Sequence, residues 1–326
     1  MWEDCVEQKQ LSHMLQQSLK NDRIAHAYLF AGPKGSGKRK MALQLAKGIF
    51  CREKEGDSCD QCENCRRIAS GNHPDVHFIE PEGTRIKISQ VRDLQKEFSY
   101  RGMESFHKVY IMNQGDKMTT EAANRLLKFL EEPPPGAMAI LLTEQINSIL
   151  PTILSRCQIL HFSPLSPKHI TDQLVQMGIR PGLARVAAIV SAGIEEAEAY
   201  CQTESFAQVR GLVIQLSEDI VERGTYSLIT LHDRILKRDS FNEELNLFLD
   251  LLLLWLRDLL FYLLGQESQI SNMDQMETIQ KQAKRWGQRR LVDGMEKIME
   301  TQKRLSGNTN VQLCLEDLVL RLQEGS

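Results

Sequence analysis

The sequence predicts an α/β domain built on a parallel sheet, followed by a small helical segment and an all-α C-terminal region. Three observations predict it. Short β-rich runs alternate with helical stretches from the N-terminus to about Phe162, two prolines then punctuate the chain at Ser163-Pro164-Leu165-Ser166-Pro167, and strand patterning all but disappears beyond them.

The strands are read from Tyr28-Leu29-Phe30-Ala31, Val76-His77-Phe78-Ile79, Val109-Tyr110-Ile111-Met112, Ala139-Ile140-Leu141-Leu142 and Gln158-Ile159-Leu160-His161-Phe162. Their alternation with helices implies a parallel sheet covered on both faces, so residues 1–165 are expected to form one domain. Residues 166–205, with helices at 170–177 and 181–192, read as a small lid domain. Residues 206–326 carry long 3.6-period stretches at 245–264 and 274–305, which predict a helical bundle. The 245–264 stretch is apolar, but Asp250, Arg257 and Asp258 interrupt it at a cost no bilayer span would bear, so it is expected to be a buried helix.

Composition narrows the function classes. In 326 residues, 40 Lys and Arg stand against 43 Asp and Glu, a net charge of −3, which argues against an autonomous nucleic-acid binder held by a broad basic face and against a zinc-centred nucleic-acid module, though local basic patches stay open. The opening MWEDCVEQKQL lacks the basic and apolar regions of a secretory signal, so a cytoplasmic protein is expected. Four of the eight cysteines crowd into residues 51–65, whereas Cys5, Cys157, Cys201 and Cys314 are scattered. In a reducing cytosol such clustering points to metal rather than disulfides.

Directly after the first strand comes Gly32-Pro33-Lys34-Gly35-Ser36-Gly37-Lys38, followed by a helical run. Strand, glycine loop, lysine and helix start aim backbone N–H groups and a helix dipole at phosphates: Gly32, Gly35 and Gly37 permit the tight loop, and Lys38 would reach the terminal phosphates. The chemistry around this P-loop is incomplete. The residue after the lysine should offer a hydroxyl to Mg²⁺, yet it is Arg39. The strand ending at Met112 should present carboxylates to hold the metal and activate water, yet Asn113 and Gln114 follow it, and amides serve neither purpose well. Asp116 is the one possible substitute; as a loop aspartate near a helix start it has a simpler explanation. A P-loop domain without ATPase activity of its own is expected, and binding of ATP by it is doubtful.

Cys51, Cys59, Cys62 and Cys65 read C-x7-C-x2-C-x2-C. Two C-x2-C steps let thiolates converge from tight turns, and a fourth ligand from the preceding helix end completes a tetrahedron, so structural Zn²⁺ is the natural occupant. An iron–sulfur cluster or a redox pair is the competing reading. His73 and His77 flank the second strand and read as ordinary histidines rather than ligands.

Thr119-Thr120-Glu121 opens an amphipathic helix closed by Glu131-Glu132-Pro133-Pro134-Pro135, and beyond the next strand, which ends in Thr143, lies Ile153-Leu154-Ser155-Arg156-Cys157. With His26-Ala27-Tyr28-Leu29-Phe30, the P-loop, the four-cysteine module and the run from Asn124 to Pro133, this sequence resembles the clamp-loader subunits of bacterial DNA polymerase III, members of the AAA+ superfamily. The resemblance is dense over residues 1–165, weaker over the lid and mainly architectural beyond it, though residues 308–318 are similar to the family's closing helix.

The resemblance implies an AAA+ P-loop sheet domain, a lid and a C-terminal collar through which subunits assemble. It also implies roles. The arginine of the Ser155-Arg156-Cys157 motif acts in trans in that family, reaching into the ATP site of a neighbouring motor subunit, and arginine suits the task because its rigid fork of donors binds phosphate oxygens bidentately. Motor subunits carry Ser or Thr, an Asp-Glu pair and a lid arginine where this chain has Arg39, Asn113-Gln114 and Gly193-Ile194-Glu195-Glu196. The expected function is therefore that of a non-hydrolysing stator, part of the polymerase holoenzyme but no enzyme by itself. Implied partners are the tau/gamma-type motor subunits, the delta subunit and, through the complex, the sliding clamp and primed DNA, with no membrane. The alternative is an active motor-type ATPase in which Asp116 replaces the missing carboxylates.

Two features stay open at this level. The apolar faces at 247–264 and 313–322 could meet neighbouring subunits or form the chain's own core. Lys281, Lys284, Arg285, Arg289 and Arg290 make a basic helical face around Trp286, read by default as solvated and otherwise as a contact for DNA or an acidic neighbour.

Overall fold

A computed structural model describes residues 2, 8–98, 105–224, 226–236, 241–305, 307 and 309–323. Cys5 and Asn308 lie outside the described residues. The chain divides into two compact units, Met1–Leu165 and Ser166–Ser326.

The first unit runs α1 (Lys9–Lys20), β1 (Ala27–Ala31), α2 (Lys38–Phe50), α3 (Glu63–Ala69), β2 (Val76–Ile79), α4 (Ile88–Phe98), β3 (Lys108–Met112), α5 (Thr120–Glu131), β4 (Ala137–Thr143), α6 (Pro151–Leu154) and β5 (Gln158–His161). The strands form one sheet in the order β2-β3-β4-β1-β5, and every pairing is parallel. The parallel sheet covered by helices is the one expected of the sequence.

Strand side chains alternate between two cores. Tyr28, Phe30, Val109, Ile111, Met138, Ile140 and Leu142 pack with Leu15, Met41, Leu45 and Ile68. Ala27, Leu29, Tyr110, Met112, Ala139 and Leu141 pack on the opposite face with Val91, Leu126, Leu130 and Ile153. Because both faces are covered, the central strands read as continuous apolar runs; all seven residues of β4 are buried. Local signals set the helix ends. Thr119 Oγ1 accepts the Ala122 N–H at the start of α5, and the prolines 133–135 forbid its continuation.

The second unit is helical: α7 (Pro167–Gln176), α8 (Pro181–Val190), α9 (Ile194–Gln202), α10 (Glu204–Glu222), α11 (Tyr226–Thr230), α12 (Phe241–Leu263), α13 (Met276–Trp286), α14 (Gln288–Leu305) and α15 (Val311–Gln323). The 3.6-period stretch over 274–305 forms two helices, divided at Gly287, whose φ of 73° is left-handed and ends α13. In α12, Phe248, Leu249, Leu252, Trp255, Leu256 and Leu259 are buried, and in α15 so are Leu315, Leu318, Val319 and Leu322. Most of the apolar surface at 247–264 and 313–322 thus builds the unit's own core, while Leu264, Leu313 and Leu320 remain exposed.

The charges within α12 are structural. Asp258 Oδ2 accepts from the Ser271 and Asn272 backbone N–H groups and from Asn272 Nδ2, at 2.8–3.0 Å. Asp250 accepts from Gln302 at 2.7 Å. Among the described residues no helix is long and apolar enough to cross a membrane.

Candidate functional site

The phosphate loop leaves β1 at Ala31 and enters α2 at Lys38. Gly32 has no room for a side chain: a Cβ there would lie 2.4 Å from the Phe162 carbonyl oxygen. Gly35 and Gly37 hold left-handed φ values of 71° and 84°, which L side chains rarely adopt. The loop is therefore preformed for backbone approach to an anion. Its lysine is turned inward. Lys38 is buried and its ammonium donates to the carbonyl oxygens of Gly32 and Pro33, both at 2.7 Å, and more distantly to Ser36 Oγ. Burial lowers its pKa, against the opposing charges of Glu144 and Asp116. Gln8, which sequence patterning did not single out, donates from Nε2 to the carbonyls of Ser36 (3.2 Å) and Ser163 (2.7 Å), linking the loop to the strand exit after β5.

Arg39 does not point to empty solvent. Its Nη1 lies 2.6 Å from Glu80 Oε1, just beyond β2, and its guanidinium stands 5.7 Å from the Phe78 ring centroid. After β3, the Asn113 N–H donates to the Ile79 carbonyl, and Gln114 adopts a left-handed φ of 53°. Asp116 sits in the following single turn and accepts from Thr143 Oγ1 (2.8 Å) and the Glu144 N–H (3.2 Å). Both Asp116 and Thr143 are thus joined at the end of β4. Thr143 is more than a strand-end residue, because its hydroxyl also accepts the Gln145 N–H.

Arg156 follows the short helix α6 and its cap Ser155. Its Nη2 lies 2.8 Å from Glu131 Oε1, and its Nη1 donates to the Thr152 carbonyl (2.9 Å) and Ser155 Oγ (3.2 Å). A third of the side chain remains exposed, at 34%. Cys157 beside it has its thiol pushed up to about 12 by burial, which makes it an apolar packing residue rather than a nucleophile.

The four cysteines converge. Cys51 caps the C-terminus of α2, Cys62 the N-terminus of α3, and Cys65 is buried on α3. One sulfur from each of Cys51, Cys59, Cys62 and Cys65 lies within 4.8 Å of every other, and Cys59 and Cys65 are 4.0 Å apart. A tetrahedral ion with bonds of about 2.3 Å to sulfur needs spacings of about 3.8 Å, so the cluster could hold a metal ion with small adjustments. Four thiols are the donor set a tetrahedral Zn²⁺ prefers, and of the two thiols shifted here only that of Cys59 is moved toward the thiolate a metal binds. The Cys62 and Gln61 N–H groups donate to Cys59 Sγ and pull its thiol down to about 6, while desolvation pushes Cys65 up to about 12. His73 stays out of the set: its ring packs on Phe50 and its Nδ1 accepts the Asp75 N–H. His77 stacks on Tyr110.

The basic face near Trp286 is partly spent on the unit's own packing. Arg285 pairs with Glu222, and Arg290 lies over the Trp286 ring while donating to the Leu322 and Gln323 carbonyls at the end of α15. In the second unit, Gly193 precedes α9 and Glu196 accepts the Ala192 N–H.

Known proteins place this combination. The family profile described as "DNA polymerase III, delta subunit" matches residues 7–166, and "DNA polymerase III, delta subunit, C terminal" matches residues 213–324. DNA polymerase III subunit delta' of Bacillus subtilis (strain 168) is 42% identical, over 99% of this chain and 99% of its own length. DNA polymerase III subunit tau of the same organism is 28% identical over 80% of this chain and 50% of its own. A solved DNA polymerase III gamma-subunit-related protein from Thermotoga maritima aligns with 95% of this chain and 99% of its own, at 20% identity and a TM-score of 0.49. On the full-length match above all, the chain belongs to the delta-prime subunit family of the DNA polymerase III clamp loader.

Proposed function

We propose that the chain is the non-hydrolysing stator of its clamp loader, supplying Arg156 in trans to the ATP site of a neighbouring tau/gamma-type motor subunit. The observation that carries this reading is an asymmetry within one unit. The positions that ATP chemistry needs hold Arg39, Asn113 and Gln114, with Arg39 committed to Glu80, whereas Ser155-Arg156-Cys157 is intact with a partly exposed guanidinium. Arginine at such a place stabilises charge on a transferred phosphoryl group without any ATP bound to its own chain. Ser155 and Cys157 serve the same motif, one through its hydroxyl and the other by packing.

On this reading the loop at Gly32, Gly35, Gly37 and Lys38 is vestigial. Lys38 has carbonyl partners of its own, so phosphate must compete with them. Cys51, Cys59, Cys62 and Cys65 would hold Zn²⁺ as a structural ion, whose four thiolate ligands leave no open position. Residues 166–205 act as the lid and 206–326 as the collar that meets the delta and motor subunits, and the assembled cytoplasmic complex loads the sliding clamp onto primed DNA.

The direct test is ATP turnover by the isolated chain with Mg²⁺. No phosphate release above background is expected. Turnover abolished by Lys38→Ala would instead make the chain a motor-type ATPase, with Asp116 as the prime candidate for its metal ligand.

A further inference from the structure

The Arg156 guanidinium is held by two elements that the core locks together. Glu131 is the last residue of α5, and Thr152 belongs to α6. Leu126 and Leu130 of α5 share one buried cluster with Ile153 of α6, so packing fixes the backbone positions of Glu131 and Thr152 relative to each other. The prolines 133–135 follow α5 after the single residue Glu132 and stiffen its exit.

Donor arithmetic shows what this holding leaves available. A guanidinium has five N–H groups. The Thr152 carbonyl and Ser155 Oγ accept from Nη1, and Glu131 Oε1 lies 2.8 Å from Nη2 as its ion-pair partner. The Nε–H and an Nη2–H remain, the edge that can make one bidentate contact with a phosphate. An unrestrained arginine would lose side-chain freedom on forming such a contact, and that loss is reduced when the rotamer is already set.

We propose that Glu131 is a positioning residue for Arg156, presenting its remaining N–H pair to an anionic phosphoryl group on the adjacent subunit. This rests on the reading of Arg156 as a finger in trans, and it adds a second residue whose removal should be felt at an ATP site the chain does not itself contain. Glu131 touches neither nucleotide nor metal in this scheme. Its carboxylate orients a cation that does.

The test is steady-state ATP hydrolysis by the full reconstituted loader in the presence of clamp and primed DNA, with Glu131→Ala, Glu131→Asp and Arg156→Ala introduced in this chain alone. Glu131→Ala is expected to lower kcat by about three- to thirtyfold, less than Arg156→Ala, with the KM for ATP little changed. Glu131→Asp, which keeps the charge, should recover most of the rate, and Glu131→Ala added to Arg156→Ala should cost nothing more. A purely structural role would lower the thermal midpoint of the isolated chain and would not yield the non-additive pair. If Arg156→Ala slows turnover while Glu131→Ala equals wild type, the positioning role is wrong and the finger stands. If Arg156→Ala itself changes nothing, the finger reading and this proposal fall together.

Discussion

Arg39 and Glu80 form an ion pair, Nη1 to Oε1 at 2.6 Å, at the position where a working P-loop offers a hydroxyl to Mg²⁺. Both side chains are about half exposed, so the pair adds little to stability. Its consequence is chemical: a cation stabilised by a carboxylate occupies the place of a metal ligand.

Arg39→Thr restores the hydroxyl and frees Glu80. It should not restore hydrolysis, because Asn113 and Gln114 still supply no carboxylate. Calorimetric titration with Mg²⁺ and ATP is expected to show at most a modest gain in affinity, and phosphate release should stay at background. Turnover by this single variant would mean that Asp116 is a sufficient metal ligand.

The four-cysteine loop also anchors the N-terminus. Trp2 is buried, its Nε1 donates to the Gly56 carbonyl at 2.9 Å, and its N–H donates to Asp57 Oδ1. Both partners lie between Cys51 and Cys59. With zinc bound there as proposed, chelation should release one equivalent of the metal, and chelation or Cys65→Ser should destabilise the first unit by several kcal/mol and shift tryptophan emission to the red. In Trp2→Phe the zinc should still leave but the emission shift should vanish, since Trp255 and Trp286 are buried in the other unit.

Gly32 tests the loop's construction independently of any ligand. A Cβ there meets Phe162 backbone at 2.4 Å, which neither partner can relieve by rotating a side chain. Gly32→Ala is expected to cost about 2–3 kcal/mol in urea unfolding of the first unit.

Asp258 gives the second unit a pH dependence. Its burial raises the carboxyl pKa above the ordinary 3.8, against hydrogen bonds from Asn272 and Ser271 and the charge of Arg257, which lower it. The native state therefore holds this proton more tightly than the unfolded chain does. That contribution to stability is complete below 3.8 and is lost as pH rises through the raised folded value. Asp258→Asn, which keeps an acceptor for Ser271 and Asn272, lacks this slope. Unfolding at a series of pH values should show the Asn variant gaining on wild type across that window, by about 1.4 kcal/mol per pH unit at the steepest. Parallel curves would show that Asp258 titrates normally.

Much of the fold is legible in the sequence. The five strands stand out because a parallel sheet covered on both faces makes short continuous apolar runs, such as the buried residues of β1 and β4. The cysteine cluster is legible because its spacing is itself the geometry. The break at Gly287 is not, since glycine inside a helical pattern costs only about 1 kcal/mol and the period continues on both sides. Nor are the partners of Arg39, Arg156 and Lys38. Glu80, Glu131 and the Gly32 carbonyl become neighbours only when loops and helix ends are packed, and no periodicity encodes that. Glu131 lay in view, inside the motif from Asn124 to Pro133, but nothing in its spacing pointed to Arg156.

The central claim is that this chain lends an arginine and spends no ATP. Clamp- and DNA-stimulated hydrolysis by the reconstituted loader, with Arg156→Ala and Lys38→Ala introduced separately in this chain, tests it most directly. Arg156→Ala is expected to lower turnover by one to several orders of magnitude at the site it serves, roughly the worth of an arginine finger, with averaging over several sites shrinking the observed fall. Lys38→Ala should leave turnover unchanged. The opposite pattern, with Lys38→Ala abolishing hydrolysis and Arg156→Ala doing little, would contradict the account and make this P-loop a working ATP site.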